Sequence, residues 1–188
     1  MSAIRAVLLV AVLGLATACG GGEQSPGAAQ TTTDPATTTT EAASTTTAAP
    51  TASVEVPKQL QFTAKTVDGA AFDGASLAGK PAVLWFWAPW CPKCNAEAPG
   101  LREVSQANSG KVTFVGVAGQ DQVPAMQQFV QKYSLDFVHL ADLDGSLWTR
   151  FGVSHQPAYA FFNSSGELQM ELHQLSKDAL ATRVAGLA

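Results

Sequence analysis

Residues 85–94 read Trp-Phe-Trp-Ala-Pro-Trp-Cys-Pro-Lys-Cys, so an aromatic run leads directly into two cysteines that are separated by two residues. The apolar run covers residues 82–87, and its short, uninterrupted character predicts a strand that is covered on both faces. After the cysteines, Leu101 and Val104 continue at helical spacing. The segment therefore predicts a buried strand, a turn that carries a Cys-x-x-Cys motif, and a helix.

The position of the motif gives its two thiols different roles. Cys91 is predicted to lie in the first turn of the helix, where free N–H groups and the positive end of the helix dipole stabilise a thiolate. The thiolate is the reactive form of cysteine, so Cys91 is the predicted nucleophile. Cys94 lies three residues on, on the same helix face and with less exposure, and is the predicted resolving thiol. Such a pair can pass on a disulfide by exchange, through a mixed disulfide on Cys91.

Patterns elsewhere in the chain predict one α/β domain over residues 56–188. Asp68-Gly69 is a turn signal between two short segments, 60–66 and 71–73, and predicts an N-terminal β-hairpin. The downstream patterns predict, in order, a strand over 112–118, a helix over 123–133, a short helix over 146–151, a hairpin of 158–162 and 168–172, and a closing helix over 176–185. This order predicts a central mixed β-sheet with helices on both faces.

The first 18 residues have the features of a secretory signal peptide. Arg5 supplies a positive charge, residues 6–15 form an apolar run too short to span a bilayer, and small residues follow. Cys19 comes next, and residues 15–19 resemble the lipobox of bacterial lipoproteins, although Ala16 stands where Leu is usual. The chain is therefore expected to be exported, either lipidated on Cys19 at the extracellular face of the cell membrane or secreted.

A tether is predicted between the signal peptide and the domain, over residues 19–55. This segment consists largely of Thr, Ala, Ser and Pro, and such a composition cannot bury a core. A disordered chain of this length has an average reach of about 30 Å. The expected arrangement is a folded domain that is held clear of a membrane surface by a flexible, lipidated segment.

Cysteine count and net charge restrict the function further. The chain has three cysteines, and lipidation of Cys19 leaves only Cys91 and Cys94. A disulfide between these two closes a loop too small to constrain the unfolded chain, so redox work is favoured over a structural bridge. The formal net charge is −4, or −5 without residues 1–18, which argues against nucleic-acid binding.

Six motifs spread over residues 57–188 resemble the TlpA/ResA/DsbE branch of thioredoxin-like proteins, and most closely the secreted DsbE/DsbF disulfide oxidoreductases of actinobacteria. The motifs are Gly79-Lys80-Pro81, the segment 85–94, Glu97 with Pro99, Val115-Gly116-Val117-Ala118, Phe151-Gly152-Val153 and Gln156-Pro157-Ala158. The resemblance implies a thioredoxin-like fold. It also implies a cis peptide bond before Pro157, which faces the cysteines and lets the backbone of Gln156 pair with an extended substrate. Glu97 is implied as the carboxylate that takes or gives the proton of the buried thiol.

Residues beside the cysteines indicate the substrate surface and the direction of electron flow. Trp90 is next to Cys91 and is predicted to contact substrate, whereas the tryptophans of the central strand are predicted core residues. Pro92 removes a backbone donor and Lys93 adds a positive charge near the thiolate. A stabilised thiolate makes the disulfide more oxidising, so the chain is predicted to oxidise thiols of exported proteins. We also expect the enzyme to be a monomer and to use no cofactor. By analogy with the family, a membrane redox partner restores the disulfide.

Three other functions use parts of the same sequence. A thiol reductant of the cytochrome-maturation or ResA-like kind needs the same residues and stays open. A copper- or zinc-binding lipoprotein needs His139, His155 or His173 beside the cysteines, and three scattered histidines support such a site weakly. Peroxide reduction of the peroxiredoxin type needs a Thr three positions before the reactive cysteine, where this chain has Ala88. The sequence therefore predicts a disulfide oxidoreductase without a metal site.

Overall fold

The computed structural model of the chain describes residues 55–187. The predicted signal peptide of residues 1–18, the predicted lipidation site Cys19 and nearly all of the predicted tether lie outside the described residues. Within residues 55–187, none of the helices combines the length and the apolar character that crossing a bilayer requires.

An antiparallel hairpin opens the domain, as predicted. Strand β1 (Thr63–Lys65) pairs with β2 (Ala71–Asp73). In the connecting turn Gly69 has φ +85°, a left-handed conformation that glycine adopts without a steric penalty, and its N–H donates to the carbonyl of Thr66 at 2.9 Å. The first strand is shorter than predicted, because Lys58–Leu60 forms a 3-10 helix instead of extended chain.

Five strands form the central sheet in the order β5-β4-β3-β6-β7. They are β3 (Ala82–Trp87), β4 (Thr113–Gly119), β5 (Val138–Asp142), β6 (Ala158–Phe162) and β7 (Leu168–Glu171). β3, β4 and β5 run parallel, whereas β6 is antiparallel to both of its neighbours. The sheet is therefore mixed, as predicted, and the strand that leads into the cysteines lies at its centre.

Side chains of β3 alternate between two hydrophobic cores, one on each face of the sheet. Val83, Trp85 and Trp87 belong to the first core, and Leu84 and Phe86 belong to the second. All five are fully buried. This arrangement confirms the prediction of a strand covered on both faces, and it confirms Trp85 and Trp87 as core residues.

Four helices cover the sheet, as predicted. They are α1 (Pro92–Ala107), α2 (Val123–Tyr133), α3 (Ser146–Arg150) and α4 (Lys177–Ala185). Buried residues of α1, α2 and α4 join the first core, and those of α3 join the second, together with the segment around the N-terminal hairpin. Ser176 caps α4 by accepting a hydrogen bond from the N–H of Ala179 at 3.2 Å.

Strand β5 was not predicted, because a histidine interrupts its apolar pattern. His139 is 3% exposed, and its ring lies edge-on to the Trp87 ring, with 5.5 Å between the centroids. Its other neighbour is Phe137, with 4.5 Å between the ring centroids. Burial lowers the pKa of His139 to about 3, so this residue is a neutral core side chain.

The turn between β6 and β7 closes the sheet on the side away from the cysteines. Asn163 organises this turn, since its side-chain carbonyl accepts hydrogen bonds from the N–H groups of Ser165 and Glu167 at 3.1 and 2.9 Å. Gly166 has φ +84°, and a Cβ atom on it would lie 2.8 Å from Cγ of Pro57. The first residues of the domain therefore pass directly against this turn.

Candidate active site

The two cysteines occupy the junction between β3 and α1. The helix begins at Pro92, which suits a first helical position because proline has no N–H to leave unpaired. Cys91 is the N-cap, in extended conformation with φ −71° and ψ 117°, and its Sγ accepts the N–H of Cys94 at 3.1 Å. The sequence prediction placed Cys91 one residue too far into the helix. At the N-cap, the sulfur of Cys91 faces the free N–H groups of the first helical turn directly.

Both thiols are buried, and they are unbridged in this structure. Cys91 is 3% exposed and Cys94 is fully buried, so the predicted order of exposure holds, with a small difference between the two. Burial above all, and then the hydrogen bond with Cys91, raises the pKa of the Cys94 thiol well above its ordinary value. Cys94 therefore keeps its proton at neutral pH unless a neighbouring base accepts it.

Glu97 supplies a carboxyl group one helical turn beyond Cys94. Its side chain is buried, 7% exposed, and its Oε1 accepts a 2.6 Å hydrogen bond from the indole N–H of Trp85. Burial raises the pKa of Glu97 to about 7, and the nearby Trp85, Tyr159 and backbone of Leu175 oppose this rise only in part. A carboxyl group with this pKa exchanges its proton readily at neutral pH.

Asn95 holds the turn of the motif in place, a role that the sequence analysis missed. Its amide donates to the carbonyls of Pro89 and Cys91 at 3.1 and 2.8 Å. Its side-chain oxygen accepts hydrogen bonds from the Tyr133 hydroxyl at 2.7 Å and from the ammonium of Lys132 at 3.2 Å. Asn95 therefore connects the turn before the helix to α2. No spacing rule singles out an asparagine at this position.

Trp90 lies on the surface beside the thiols, as predicted, and is 55% exposed. Its indole N–H donates to the carbonyl of Gln120 at 3.1 Å, which ties it to the loop after β4. Gln120 has φ +59°, one of the two non-glycine positive values among the described residues. The predicted tuning residues Pro92 and Lys93 are also exposed, and the backbone carbonyl of Lys93 accepts a 3.3 Å hydrogen bond from Gln174.

The peptide bond between Gln156 and Pro157 is cis, as the family resemblance implied. Pro157 is buried and Gln156 is half-buried. Phe86 near the end of β3 pairs with Ala158 at the start of β6, so the antiparallel register brings this loop to the end of the sheet where the cysteines lie. The predicted substrate contacts Gln156 and Pro157 therefore lie at the same end of the sheet as the predicted nucleophile Cys91.

The histidines do not gather around the thiols. His139 lies in the core, whereas His155 is exposed and its Nε2 lies 2.8 Å from the carbonyl of Leu172. The rings of His155 and His173 are 6.4 Å apart between centroids. Within residues 55–187, no group of three or more His, Cys, Asp or Glu side chains is arranged to hold a metal ion.

Comparisons with known proteins give matches over the described domain. A model of the AhpC/TSA family matches residues 56–171. The chain is 53% identical to the soluble secreted antigen MPT53 of Mycobacterium tuberculosis over 138 residues. The aligned region covers 72% of this chain and 79% of that protein.

Two solved structures are similar over the described domain. One is DsbF from MTB in mixed oxidized and reduced forms, with 57% identity, a TM-score of 0.69, and coverage of 71% of this chain and all of that one. The other is a secreted Mycobacterium tuberculosis disulfide oxidoreductase homologous to E. coli DsbE. It has 54% identity and a TM-score of 0.68, and the match covers 70% of this chain and 99% of that one.

Proposed function

The chain belongs to the AhpC/TSA family, and from this premise we propose that it is an extracytoplasmic thiol-disulfide oxidoreductase that oxidises thiols of exported proteins. The observation that carries the proposal is the N-cap position of Cys91, whose sulfur accepts the N–H of Cys94 at 3.1 Å. The similarity to a secreted disulfide oxidoreductase over 99% of that chain supports both the activity and the export.

Oxidation of a substrate uses the Cys91–Cys94 disulfide in two exchange steps. A substrate thiolate attacks Sγ of Cys91 and forms a mixed disulfide, while the electron pair of the broken bond passes to Sγ of Cys94. The second substrate thiolate then attacks the substrate sulfur of the mixed disulfide, and Cys91 leaves as a thiolate. The substrate gains one disulfide and the enzyme is left as a dithiol, so two electrons have moved.

Glu97 acts as the proton donor and acceptor for Cys94. When Cys94 leaves, protonated Glu97 gives its proton to the sulfur, because a thiolate in this buried position is strongly disfavoured. In the reverse direction the carboxylate removes that proton and Cys94 can attack the mixed disulfide. The pKa of Glu97 at about 7 makes both directions accessible at neutral pH.

Substrate binds beside Cys91, where an extended segment pairs with the backbone of Gln156. Pro157 fixes the path of this loop, and the exposed Trp90 offers an apolar face to the residues that flank the substrate cysteine. Recognition through backbone groups suits an enzyme that meets many different exported proteins.

The direction of electron flow depends on how strongly the site favours its reduced form. The N–H of Cys94 donates to the sulfur of Cys91 at the N-terminus of the helix, and the positively charged Lys93 follows in the sequence, an arrangement that suits the reduced form of the enzyme. A stabilised reduced form makes the disulfide a stronger oxidant. These features support oxidation over the reductant alternative.

A redox titration separates the two directions. The chain carrying Cys19→Ser, in which Cys91 and Cys94 are the only cysteines, is equilibrated with defined glutathione ratios and the fraction of disulfide is measured. A potential above about −200 mV is expected for an oxidant. A value near or below about −270 mV, in the thioredoxin range, contradicts oxidation and identifies a thiol reductant.

The N-terminal segment is proposed to export and anchor the enzyme. Residues 1–18 act as the signal peptide, Cys19 carries the lipid, and the tether leaves the domain free to meet substrates as a monomer beside a membrane redox partner. Labelling of cells with a fatty-acid analogue is expected to mark the chain, and a Cys19→Ala variant is expected to lose the label and appear in the medium. A variant that stays labelled contradicts the anchor.

A further inference from the structure

Two buried polar atoms beside the resolving thiol lack hydrogen-bond partners among residues 55–187. They are Oε2 of Glu97 and the hydroxyl oxygen of Tyr159. Each belongs to a residue that is otherwise enclosed by the first core, and Tyr159 is fully buried. A buried polar group without a partner is unfavourable, so two such groups side by side indicate a hydrogen bond that one state of the site makes.

The sheet register brings these two atoms together. Tyr159 on β6 is directly opposite Trp85 on β3, so both side chains project from the same face of the sheet toward α1. Trp85 holds Oε1 of Glu97 through its indole N–H. The Tyr159 hydroxyl lies next to the same carboxyl group, outside hydrogen-bond geometry in this structure.

The chemistry of the two partners differs in a way that matters for proton transfer. An indole N–H can only donate, so it holds Oε1 as an acceptor and leaves Oε2 as the oxygen that carries the proton. A tyrosine hydroxyl can accept a hydrogen bond from protonated Oε2 and can donate to Oε2 once that proton has left. Only Tyr159 can therefore partner both forms of the carboxyl group.

We propose that Tyr159 is a positioning residue for the exchange reaction, whose hydroxyl donates to Oε2 of Glu97 and stabilises the carboxylate that remains when Glu97 has given its proton to Cys94. This inference rests on the proposed role of Glu97. In the balanced step, the disulfide electron pair moves to Sγ of Cys94, the proton moves from Glu97 to that sulfur, and Tyr159 keeps its own proton.

The groups that face the Glu97 carboxyl allow this assignment. They are the thiol of Cys94 on the same helix, the Tyr159 hydroxyl on β6, the indole N–H of Trp85 on β3 and the backbone of Leu175 before α4. Burial, and then the nearby charge of Glu97, raises the pKa of Tyr159 well above its ordinary value. The hydroxyl therefore remains a donor throughout the pH range in which Glu97 titrates.

Tyr159→Phe is the direct test, because it removes the hydroxyl and keeps the ring in its place beside Phe161. Glutamate labelled with 13C at the side-chain carboxyl is incorporated into the chain carrying Cys19→Ser, and the Glu97 signal is assigned by its loss in Glu97→Gln. We expect the titration midpoint of Glu97 to move upward by about one pH unit in Tyr159→Phe, an approximately tenfold rise in proton affinity.

Tyr133→Phe is the matched control, since Tyr133 is the other of the two tyrosines and its hydroxyl bonds to Asn95 instead. This variant should leave the Glu97 midpoint where it is in the parent chain. The pH dependence of disulfide reduction by dithiothreitol should move together with the midpoint in Tyr159→Phe only. An unchanged midpoint in Tyr159→Phe overturns the inference while the proposed function stands.

A second measurement needs no change at position 159, in case the phenylalanine variant does not fold. In Tyr133→Phe with 13C at the tyrosine ring carbon that bears the hydroxyl, the one remaining tyrosine signal reports on Tyr159. It should shift with a midpoint near 7 and lose this dependence in Glu97→Gln. A signal that ignores Glu97 overturns the inference. If the parent chain exchanges no disulfide with a peptide dithiol, the proposed function fails, and the inference about Tyr159 fails with it. This result is distinguishable from a failure of the inference alone, in which the parent chain still exchanges disulfides.

Discussion

Replacing Glu97 with Gln should change how the stability of the reduced protein depends on pH. The pKa of Glu97 is about 7 in the folded chain, against an ordinary value of 4.5, because the carboxyl group is buried. The native state therefore binds this proton more tightly than the unfolded chain does, and the free energy of unfolding falls as pH rises from 4.5 to 7. Above pH 7 the full penalty for the buried charge applies.

The size of the effect follows from the shift of the pKa. Each pH unit corresponds to 1.36 kcal/mol, so the shift from 4.5 to about 7 amounts to about 3 kcal/mol above pH 7. Between pH 5 and pH 8 the parent chain should lose roughly 2 to 3 kcal/mol through this one group. Glu97→Gln mimics the protonated form at every pH and should lose none of it.

Urea unfolding at pH 5 and pH 8, under reducing conditions, measures this difference. We compare the urea midpoint of Glu97→Gln with that of the parent at each pH. The difference, variant minus parent, should be larger at pH 8 than at pH 5 by roughly 1 M. Glu103→Gln is the control, because Glu103 lies on the same helix but is exposed and paired with Lys177. It should keep the parent's pH dependence. The reasoning is refuted if Glu97→Gln also keeps it, since the carboxyl would then not be the buried titrating group.

Three further predictions concern the motif and its support. In Cys94→Ser, the Cys91 thiolate should attack a disulfide that joins two peptides, so that one peptide leaves as a thiolate and the other stays on Cys91, and non-reducing electrophoresis should show this adduct because the resolving thiol is absent. Asn95→Ala should lower the free energy of unfolding by about 1 to 3 kcal/mol and slow disulfide exchange, since two carbonyls of the turn lose their donor. Gly116→Ala should destabilise the domain by at least about 1 to 3 kcal/mol in thermal unfolding, because a Cβ there overlaps the His139 ring.

Matched variants separate these effects from general damage. Asn108→Ala also removes an asparagine, at the C-cap of α1, but its amide bonds only to the carbonyl of Val104 at the far end of the helix, so exchange should stay at the parent rate. Gly100→Ala adds the same methyl group on α1, where the nearest atom is Cβ of the exposed Lys177 at 3.1 Å, a contact that a small shift relieves, so it should cost much less stability than Gly116→Ala. Equal effects from test and control variants would contradict the assigned roles.

The part of the fold around β3 was predictable because its signals are local. An apolar run that is buried on both faces leaves an unbroken pattern, and a Cys-x-x-Cys motif before a helical repeat fixes the strand, turn and helix together. β5 was missed for the opposite reason. His139 is a titratable residue in a core position, and only its packing against Trp87 and Gly116 explains why it is tolerated there.

Some residues of the candidate site could likewise be predicted from local sequence, and others could not. Cys91 and Cys94 follow from their spacing at the start of one helix, and the family resemblance adds Glu97 one turn further on, so the sequence could indicate all three. Trp85 and Tyr159 reach the same carboxyl group through the pairing of β3 with β6, which joins residues 74 positions apart, and single-sequence spacing does not contain that register. Trp85 was accordingly predicted to be a core residue, and nothing in the spacing indicated Tyr159.

The contact between Pro57 and Gly166 determines at which end of the domain the described chain begins. Gly166 lies just after β6. The last residue of β6, Phe162, pairs with Ala82, the first residue of β3, whereas the cysteines follow the last residue of β3. Five strand steps separate these two ends by about 17 Å. The described chain therefore enters the domain at the end of the sheet opposite Cys91. Whatever is attached to the N-terminal segment thus joins the domain away from the site of disulfide exchange.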